Sequence, residues 1–347
     1  MNINKQIKRS LQNLEKAISF FDNGYLSEDE YSYLKKAIIS GLIAPPIPLN
    51  IEETSSESSN KIIVLSRKEL REHIVAKIQE DGPKCDLNDI DTSRITDMSF
   101  LFANPPENTR FVTGLEGDDI AARFRGDISS WDVSNVTNME GMFCNAKDFN
   151  SSIKEWDVSN VTNFSAMFAW ATKFNQPINT WNVSKGKDMS GMFYNAESFN
   201  QAIGEWNVSN VKNMLSMFQG AKAFNKPIGN WNVSKVKNMC SMFSEAKSFN
   251  QPIGNWNVSN VTGMIKMFNK ATAFNQPIEK WDVSNVTYMD RMFYMAKAFN
   301  QKIAHWNLAE KVSMDNIFSF AYEFRRHIGK MKFFDPKLYF KNYKKRY

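Results

Sequence analysis

The chain has 347 residues, of which 42% are hydrophobic and 23% charged, and its formal net charge at pH 7 is +6. This composition is ordinary for a soluble protein, and no apolar run approaches the roughly 20 residues that a membrane-spanning helix needs. Cys85, Cys144 and Cys240 have no pairing spacing, and the histidines are scattered. The sequence therefore argues against a disulfide framework and against a zinc site.

The first segment, residues 1–44, is predicted to be a helical hairpin. Apolar residues recur at three- and four-residue steps from Ile7 to Ile18, and Asp22–Gly24 is a strong helix stop. A capping box, Ser27–Glu30, then opens a second helix. The hairpin is either a dimerisation or docking element or an appended bundle. It lacks the apolar core of a secretory signal, so we expect a protein that is cytoplasmic or exported by a non-classical route.

The next two segments lead into a repeat array. Residues 45–60, rich in proline and then in serine and glutamate, are predicted to be a linker. Lys61–Leu65 indicates a short strand, and a second capping box at Ser66 opens a helix through about Gln79. Residues 61–84 are expected to form an N-terminal cap on the array, whose open end would otherwise expose its core.

Residues 85–127 are predicted to be a first repeat that contains an insertion. Ile90 stands where later repeats have tryptophan, and the next such position, Trp131, follows after 41 residues instead of 25. The extra residues fall around 104–122 and predict a loop on one face, where binding is often elaborated. The acidic residues of the loop could hold a cation, but their spacing fits no binding loop that we can name, which favours a solvated loop.

Residues 128–328 are predicted to be eight 25-residue repeats with no insertion or deletion between them. Tryptophan recurs at this step from Trp131 to Trp306, and two sets of phenylalanines keep the same step. One such repeat cannot bury its own apolar face, so stability must come from stacking on its neighbours. Trp, Phe and Met of adjacent repeats are expected to form one core, in which methionine fills gaps beside aromatic rings.

Each repeat is predicted to have a strand half and a helix half. Trp131 and Val133 alternate as the buried positions of a strand do. The apolar residues that follow have the spacing of one helix face, two to three turns long: Met139, Met142, Phe143 and Ala146. The predicted fold class is an α/β solenoid, a leucine-rich-repeat-like array of strand-plus-short-helix repeats with an N-terminal helical hairpin and terminal caps.

An asparagine follows the second phenylalanine of successive repeats. It recurs at seven positions: Asn150, Asn175, Asn200, Asn225, Asn250, Asn275 and Asn300. A buried amide must be hydrogen-bonded. We therefore interpret these residues as a structural ladder that bonds the backbone of neighbouring repeats, rather than as a ligand site.

The positions that vary between otherwise fixed repeats are the candidates for recognition. The two residues before each tryptophan and the Asp or Asn after it should line one polar face. The helix half carries unexpected aromatic and apolar residues, which are the predicted partner-binding residues: Trp170, Tyr194, Leu215, Ile265, Tyr288, Tyr294 and Phe320. Exposed aromatics on a rigid scaffold are typical binding anchors. The alternative is that the hairpin, the caps or a second copy of the chain covers them.

The C-terminal segment, residues 329–347, is predicted to be a basic cap or tail. From Arg325 to Tyr347 the chain has nine Lys or Arg residues and one acidic residue, Asp335. As a cap, the aromatics of this segment would pack on the last repeat while its lysines face water. As a tail, the same residues would bind nucleic acid or an anionic membrane surface.

The repeat consensus I-x-x-W-D/N-V-S-N-V-T-N-M-x-x-M-F-x-x-A-x-x-F-N resembles that of the BspA-like leucine-rich-repeat surface proteins, a bacterial family. The similarity covers Ile128 to Ile328 and extends upstream to the segment from Leu87 to Phe102. It implies a solenoid that binds proteins in adhesion or in host or partner interaction, with no enzymatic activity, cofactor, metal or catalytic residue. The predicted function is therefore a non-enzymatic protein-binding scaffold. The alternative is binding of nucleic acid or an anionic membrane through the C-terminal tail, and the sequence specifies neither the protein partner nor the oligomeric state.

Overall fold

A computed structural model describes residues 61–104, 120–304 and 306–327, except for the side chains of 325–327. All of these residues belong to the second of two compact units, Ser59–Tyr347. The predicted hairpin and linker, most of the insertion and the basic C-terminal segment lie outside the described residues.

A short strand, β1 (Ile62–Ile63), and a helix, α1 (Arg67–Asp81), open the described part of the chain. The Ser66 side chain accepts a hydrogen bond from the Glu69 N–H at 3.2 Å, which caps the first turn of α1. The Glu69 carboxylate accepts one from the Leu65 N–H at 2.9 Å, so the two side chains satisfy backbone donors on both sides of the helix start. One face of α1 is buried through three residues: Leu70, Ile74 and Ile78.

The start of the repeat array is joined to this strand and helix. β1 pairs in parallel with β2 (Ile90–Asp91), with Ile62 opposite Ile90. A 3₁₀ helix (Ile120–Arg123) follows the insertion and contacts α1. α1 therefore packs where an uncovered first repeat would expose its apolar face. A last described helix, α2 (Tyr322–His327), lies at the end of the eighth repeat.

Neighbouring repeats are linked by parallel bridges between equivalent residues. The bridges begin between Asp97 and Asn138 and then continue in 25-residue steps. Trp131 and Val133 are buried and Asp132 is exposed, as the alternation predicts, but these residues are not paired as strands. The bridging position comes seven residues after the tryptophan.

The predicted helix of each repeat is a run of turns in the structure. Two positions per repeat, those of Gly141 and Asn145, have positive φ in all eight repeats. A residue in the left-handed region cannot continue a right-handed helix. Alternate N–H groups then bond in different directions: Met142 N–H donates within its repeat to Met139 O at 3.2 Å, whereas Phe143 N–H donates to the next repeat. The apolar spacing thus marks buried positions without a helix.

Aromatic rings of successive repeats stack in columns that fill the core. Phe143 and Phe168 lie with ring centroids 5.6 Å apart and planes 2° apart. Within one repeat, Phe143 also stacks on Phe149 at 3.8 Å. A separate column of tryptophans begins with Trp131 and Trp156, whose rings are 6.4 Å apart. Because every one of these rings is buried, the core runs without a break from repeat to repeat.

Each repeat tryptophan also donates a hydrogen bond to the repeat before it. Trp156 Nε1–H bonds Ile128 O at 3.1 Å, and the pattern continues to Trp306 and Ile278 O at 3.2 Å. A buried indole N–H needs an acceptor. Phenylalanine could fill the same space but could not supply this donor, which explains why tryptophan recurs here.

The asparagine ladder also joins the repeats. Asn175 N–H donates to Asn150 Oδ1 at 2.9 Å, and equivalent bonds continue to Asn300 N–H and Asn275 Oδ1. In four repeats a glutamine one residue further on also donates to the asparagine one repeat back, as Gln201 Nε2 does to Asn175 O at 2.7 Å. Asn300 Oδ1 ends the ladder: it is buried and has no hydrogen-bond partner among the described residues.

Candidate functional site

The seven predicted partner-binding residues all fall in one segment of the repeat, equivalent to residues 138–145. We call the surface formed by these segments the turn face; it comprises residues 138–145 and the segments that follow in 25-residue steps as far as 313–320. Leu215, Tyr288 and Phe320 are exposed, with 38%, 55% and 44% of their surface accessible. The other four are half-buried: Trp170, Tyr194, Ile265 and Tyr294.

The structure brings four of these residues together as two aromatic pairs. The Trp170 and Tyr194 rings meet edge to face, with centroids 4.3 Å apart. Tyr294 and Phe320 form the second edge-to-face pair at 5.4 Å. The remaining three candidates occur earlier in their segments and belong to neither pair: Leu215, Ile265 and Tyr288.

Trp170 belongs to a small apolar cluster that is separate from the main core. It packs with Tyr194 and with buried Cys144 and Ala169. Burial raises the pKa of the Cys144 thiol to about 12. Because only the thiolate is a strong nucleophile, burial disfavours reactions of this cysteine at neutral pH.

The Tyr294–Phe320 pair forms one wall of an open cavity of about 680 Å³. Every residue that lines the cavity occupies a position equivalent to 141, 144 or 145. Two small polar residues form its floor: Ser244 is 1% exposed and Asn269 is 8% exposed. Asn269 Nδ2 donates to Ser244 Oγ at 2.9 Å. The surface is concave because these small side chains lie beside two large aromatic ones.

The cavity carries an excess of positive charge. Lys270 pairs with Glu245 at 2.7 Å, and this hydrogen-bonded carboxylate raises the pKa of Lys270. Lys266 and Arg291 also line the cavity, and neither has a carboxylate within 4 Å in the described part of the chain. The arrangement therefore suits a ligand group that is anionic or rich in hydrogen-bond acceptors.

The predicted polar face after each tryptophan has a local structural role. Asp132 Oδ1 accepts a hydrogen bond from the Ser134 N–H at 2.9 Å, and Asn182 does the same for Ser184 at 3.2 Å. Such bonds form Asx turns, which either residue type can make. Part of the hydrogen-bonding capacity of this face is therefore already used within each repeat.

The sequence interpretation missed the polar residues of the cavity. Lys266 and Arg291 are equivalent to Gly141, the first position with positive φ in each repeat. Ser244 and Asn269 directly precede the second such position. The available signal was that these positions hold unrelated residue types in successive repeats while their neighbours stay fixed. Polar residues at these positions look like ordinary surface residues in the sequence, so only the aromatic and apolar ones were predicted to bind a partner.

Within residues 61–104, 120–304 and 306–327, no group of three or more His, Cys, Asp or Glu residues is placed to hold a metal ion. In the same part of the chain, no helix has the length and apolar character needed to cross a membrane.

Comparison with known proteins identifies the repeats. A family model described as "Mycoplasma protein of unknown function, DUF285" matches twice, over residues 117–230 and 215–331. No curated protein and no solved structure matches the chain. The two family matches overlap, follow the repeat array and confirm that the chain contains tandem repeats. Because they span more than half of its length, the chain belongs to the DUF285 repeat family.

Proposed function

We propose that this chain is a non-enzymatic protein-binding scaffold, in which a leucine-rich-repeat-like solenoid presents the turn face to a protein partner. This role corresponds to the adhesion or partner interaction implied by the resemblance to the BspA-like surface proteins. The observation that carries the proposal is the Tyr294–Phe320 pair beside a cavity with a polar floor.

The contacts between repeats support the solenoid. Hydrogen bonds from Trp, Asn and backbone groups join residues in adjacent repeats, and the aromatic columns follow the same step. A unit that is completed only by its neighbours is characteristic of solenoid repeats. Such a stack holds exposed side chains at fixed separations, which reduces the entropy lost when a partner binds.

The backbone conformation supports a binding role for the aromatic residues. Trp170 and Phe320 have positive φ values of 57° and 60°. Bulky residues are rare in the left-handed region, whereas asparagine and glycine tolerate it. Three of the other six repeats have asparagine or glycine at the same position: Asn145, Asn195 and Gly220. A positive φ therefore does not favour aromatics here, and contact with a partner would account for their presence.

The chemistry of the cavity supports binding over catalysis. Its lining consists of hydroxyl, amide, cationic, acidic and aromatic side chains. Aromatic residues next to satisfied polar groups are typical of interface hot spots. An acidic or carbonyl-rich loop of a partner protein would meet Lys266 and Arg291 and pack against the aromatic wall.

The test is capture of a partner by the full chain and by the double variant Tyr294→Ser, Phe320→Asn. Ser and Asn occupy these positions in other repeats, as Ser244 and Asn145 do, so the variant should fold. We expect a partner that binds the natural chain to be lost with the variant. Leu65→Ser is the matched control, because Leu65 is 60% exposed but lies outside the turn face.

Two results would count against the proposal. Equal capture by the natural chain and the double variant would show that the turn face is not the binding surface. Turnover of a small molecule that is abolished by substitution at Lys266 or Arg291 would show that the cavity is an active site.

A further inference from the structure

Three consecutive repeats carry a cluster of lysines in the segment that directly precedes the turn face in the chain. We call this cluster the lysine patch; its members are all exposed: Lys185, Lys187, Lys212, Lys235 and Lys237. The sequence interpretation did not single them out, because each is an ordinary surface residue when seen alone. Their stacking places them together.

Backbone hydrogen bonds set the geometry of the patch. Lys212 N–H donates to Lys187 O at 2.9 Å, and Lys237 N–H donates to Lys212 O at 2.9 Å. Residues bonded in this way between parallel segments lie about 4.8 Å apart. In a second column two residues earlier, Lys185 Nζ and Lys235 Nζ each donate to an asparagine one repeat back, at 2.6 and 2.7 Å.

The neighbouring repeats show that the scaffold does not need lysine at these positions. Four other repeats have threonine where the patch has Lys187, Lys212 and Lys237. Each of these threonine hydroxyls donates to the carbonyl one repeat back at 3.3 Å: Thr137, Thr162, Thr262 and Thr287. The three lysine repeats lack this hydroxyl bond.

The patch also concentrates positive charge, although Lys185 interacts electrostatically with the Asp157 carboxylate of the preceding repeat. None of the five lysines has a carboxylate within 4 Å among the residues that the structure describes. The position after each tryptophan is aspartate in three other repeats, but in these three it is an amide: Asn182, Asn207 and Asn232. Like charges that lie close together repel one another, so the stability of the stack does not explain why lysines occur at these positions.

We propose that the lysine patch binds the phosphate backbone of double-stranded nucleic acid. All five cations are lysines, which bind spaced phosphates as point charges, whereas carboxylate recognition favours the planar fork of arginine. No exposed aromatic or large aliphatic side chain lies within two residues of any of them. Base stacking and insertion into a membrane both need such side chains. Binding is therefore to phosphate and independent of base sequence.

This inference does not rest on the turn face. The expected strength of DNA binding can be estimated from the number of phosphates that the patch neutralises. If the patch neutralises three to five phosphates, the logarithm of the binding constant should fall with the logarithm of salt concentration with a slope of about −2.7 to −4.5. A contact of this kind has a dissociation constant on the order of 10⁻⁴ to 10⁻⁶ M at physiological salt.

The experiment measures binding of the full chain to a short duplex DNA by fluorescence anisotropy over a series of salt concentrations. The test variant, Lys187→Thr, Lys212→Thr, Lys237→Thr, places the residue of the neighbouring repeats at all three positions. We expect its affinity for DNA at low salt to fall at least about tenfold. The slope of its salt dependence should become less negative by about 2.7. Its midpoint of thermal unfolding should stay the same or rise, because the hydroxyl bonds are restored and the repulsion is removed.

The matched control is Lys147→Thr, Lys247→Thr, Lys297→Thr. These three lysines are exposed at one equivalent position in well-separated repeats, and the change in net charge is the same. The control should keep the affinity and slope of the natural chain. Because the basic C-terminal segment is present in every protein, its contribution cancels.

Two outcomes would overturn the inference. Equal losses in the test and control variants would mean that net charge alone attracts DNA. Patch-dependent binding of polyglutamate or of vesicles with anionic lipid, at strength equal to that of DNA, would assign the patch to another polyanion. If the threonine variant does not fold, Lys→Gln at the same three positions removes the charge while keeping a long side chain, and the same comparison applies.

Discussion

The tryptophan side and the turn face of one repeat differ in how their side chains are held. On the tryptophan side, the ring is buried and its N–H bonds the repeat before, as Trp206 does to Ile178 O at 3.0 Å. On the turn face, the backbone is bonded to the next repeat but the side chains change from Ala to Tyr to Ser. The tryptophan side chains thus help to maintain the stack, whereas the side chains of the turn face are free to vary.

The largest loss of stability should follow from the removal of a tryptophan side chain. Trp206→Ala removes a buried ring and an inter-repeat hydrogen bond, and should lower the free energy of unfolding by about 3–5 kcal/mol. Denaturant unfolding followed by circular dichroism measures the change. Tyr288→Ala on the turn face is the control and should change it by no more than about 0.5 kcal/mol. Similar losses in the two variants would contradict the distinction between the sides.

A smaller loss is expected from the asparagine ladder. Asn225→Ala removes the Oδ1 that accepts from Asn250 N–H at 2.9 Å and from Gln251 Nε2 at 2.9 Å. A buried donor left without an acceptor costs about 1–3 kcal/mol. Denaturant unfolding should show this loss, and hydrogen exchange should be faster at the Asn250 amide than at more distant ladder amides. Unchanged exchange at Asn250 would show that the Asn225 side chain does not protect that amide.

A substitution on the turn face should instead raise the free energy of unfolding. Arg291 has a φ of 56° and is exposed. Asparagine tolerates this conformation better, so Arg291→Asn should raise the free energy of unfolding by up to about 1 kcal/mol. Thermal unfolding measures the change, with Lys297→Asn as an exposed control whose φ is not positive. A loss of stability in Arg291→Asn would mean that the arginine side chain contributes contacts that outweigh the strain.

The smallest expected effect is a change in how the stability of the chain depends on pH. Hydrogen bonds from the Ser159 hydroxyl and N–H lower the pKa of Asp157. A carboxyl with a lowered folded pKa stabilises the chain above its unfolded pKa and loses that contribution as pH falls through the folded value. Asp157→Asn keeps an acceptor that does not titrate. Any stability advantage of the natural chain over this variant should therefore disappear as the pH falls below roughly 4.

Thermal unfolding of both proteins from pH 7 to pH 3 tests this prediction. Because Asp157 is exposed, solvent screens the interaction and the shift in midpoint should be slight. A difference that grows as the solution becomes more acidic would contradict the assigned sign.

The periodicity of the sequence is sufficient to locate the buried residues but not the backbone conformation. Met139 and Phe143 are buried at the spacing expected of a helix face, yet the chain there forms turns. Turns that close every three residues give nearly the same apolar spacing as a helix. The distinguishing signal was present in Gly141, Asn145 and Gly191, because glycine and asparagine are unfavourable inside a helix and suited to positive φ.

The candidate site could be predicted only in its aromatic part. Trp170, Tyr294 and Phe320 stood out because they depart from the repeat consensus. The floor of the cavity could not be predicted from spacing, because Ser244 and Asn269 are polar residues whose burial becomes visible only in the structure. The lysine patch likewise depends on stacking, since Lys187, Lys212 and Lys237 are 25 residues apart in the sequence.

The asparagine ladder makes the number of repeats adjustable. Each ladder amide accepts from the equivalent residue one repeat on, so every internal junction uses the same bond. Removing one internal 25-residue unit, for example 206–230, would bring together two surfaces that already fit each other. The core and the ladder would then close in the original register, and the molecule would lose only that unit's share of the turn face and of the lysine patch. The length of the turn face can therefore change in steps of one repeat while the contacts between repeats stay the same.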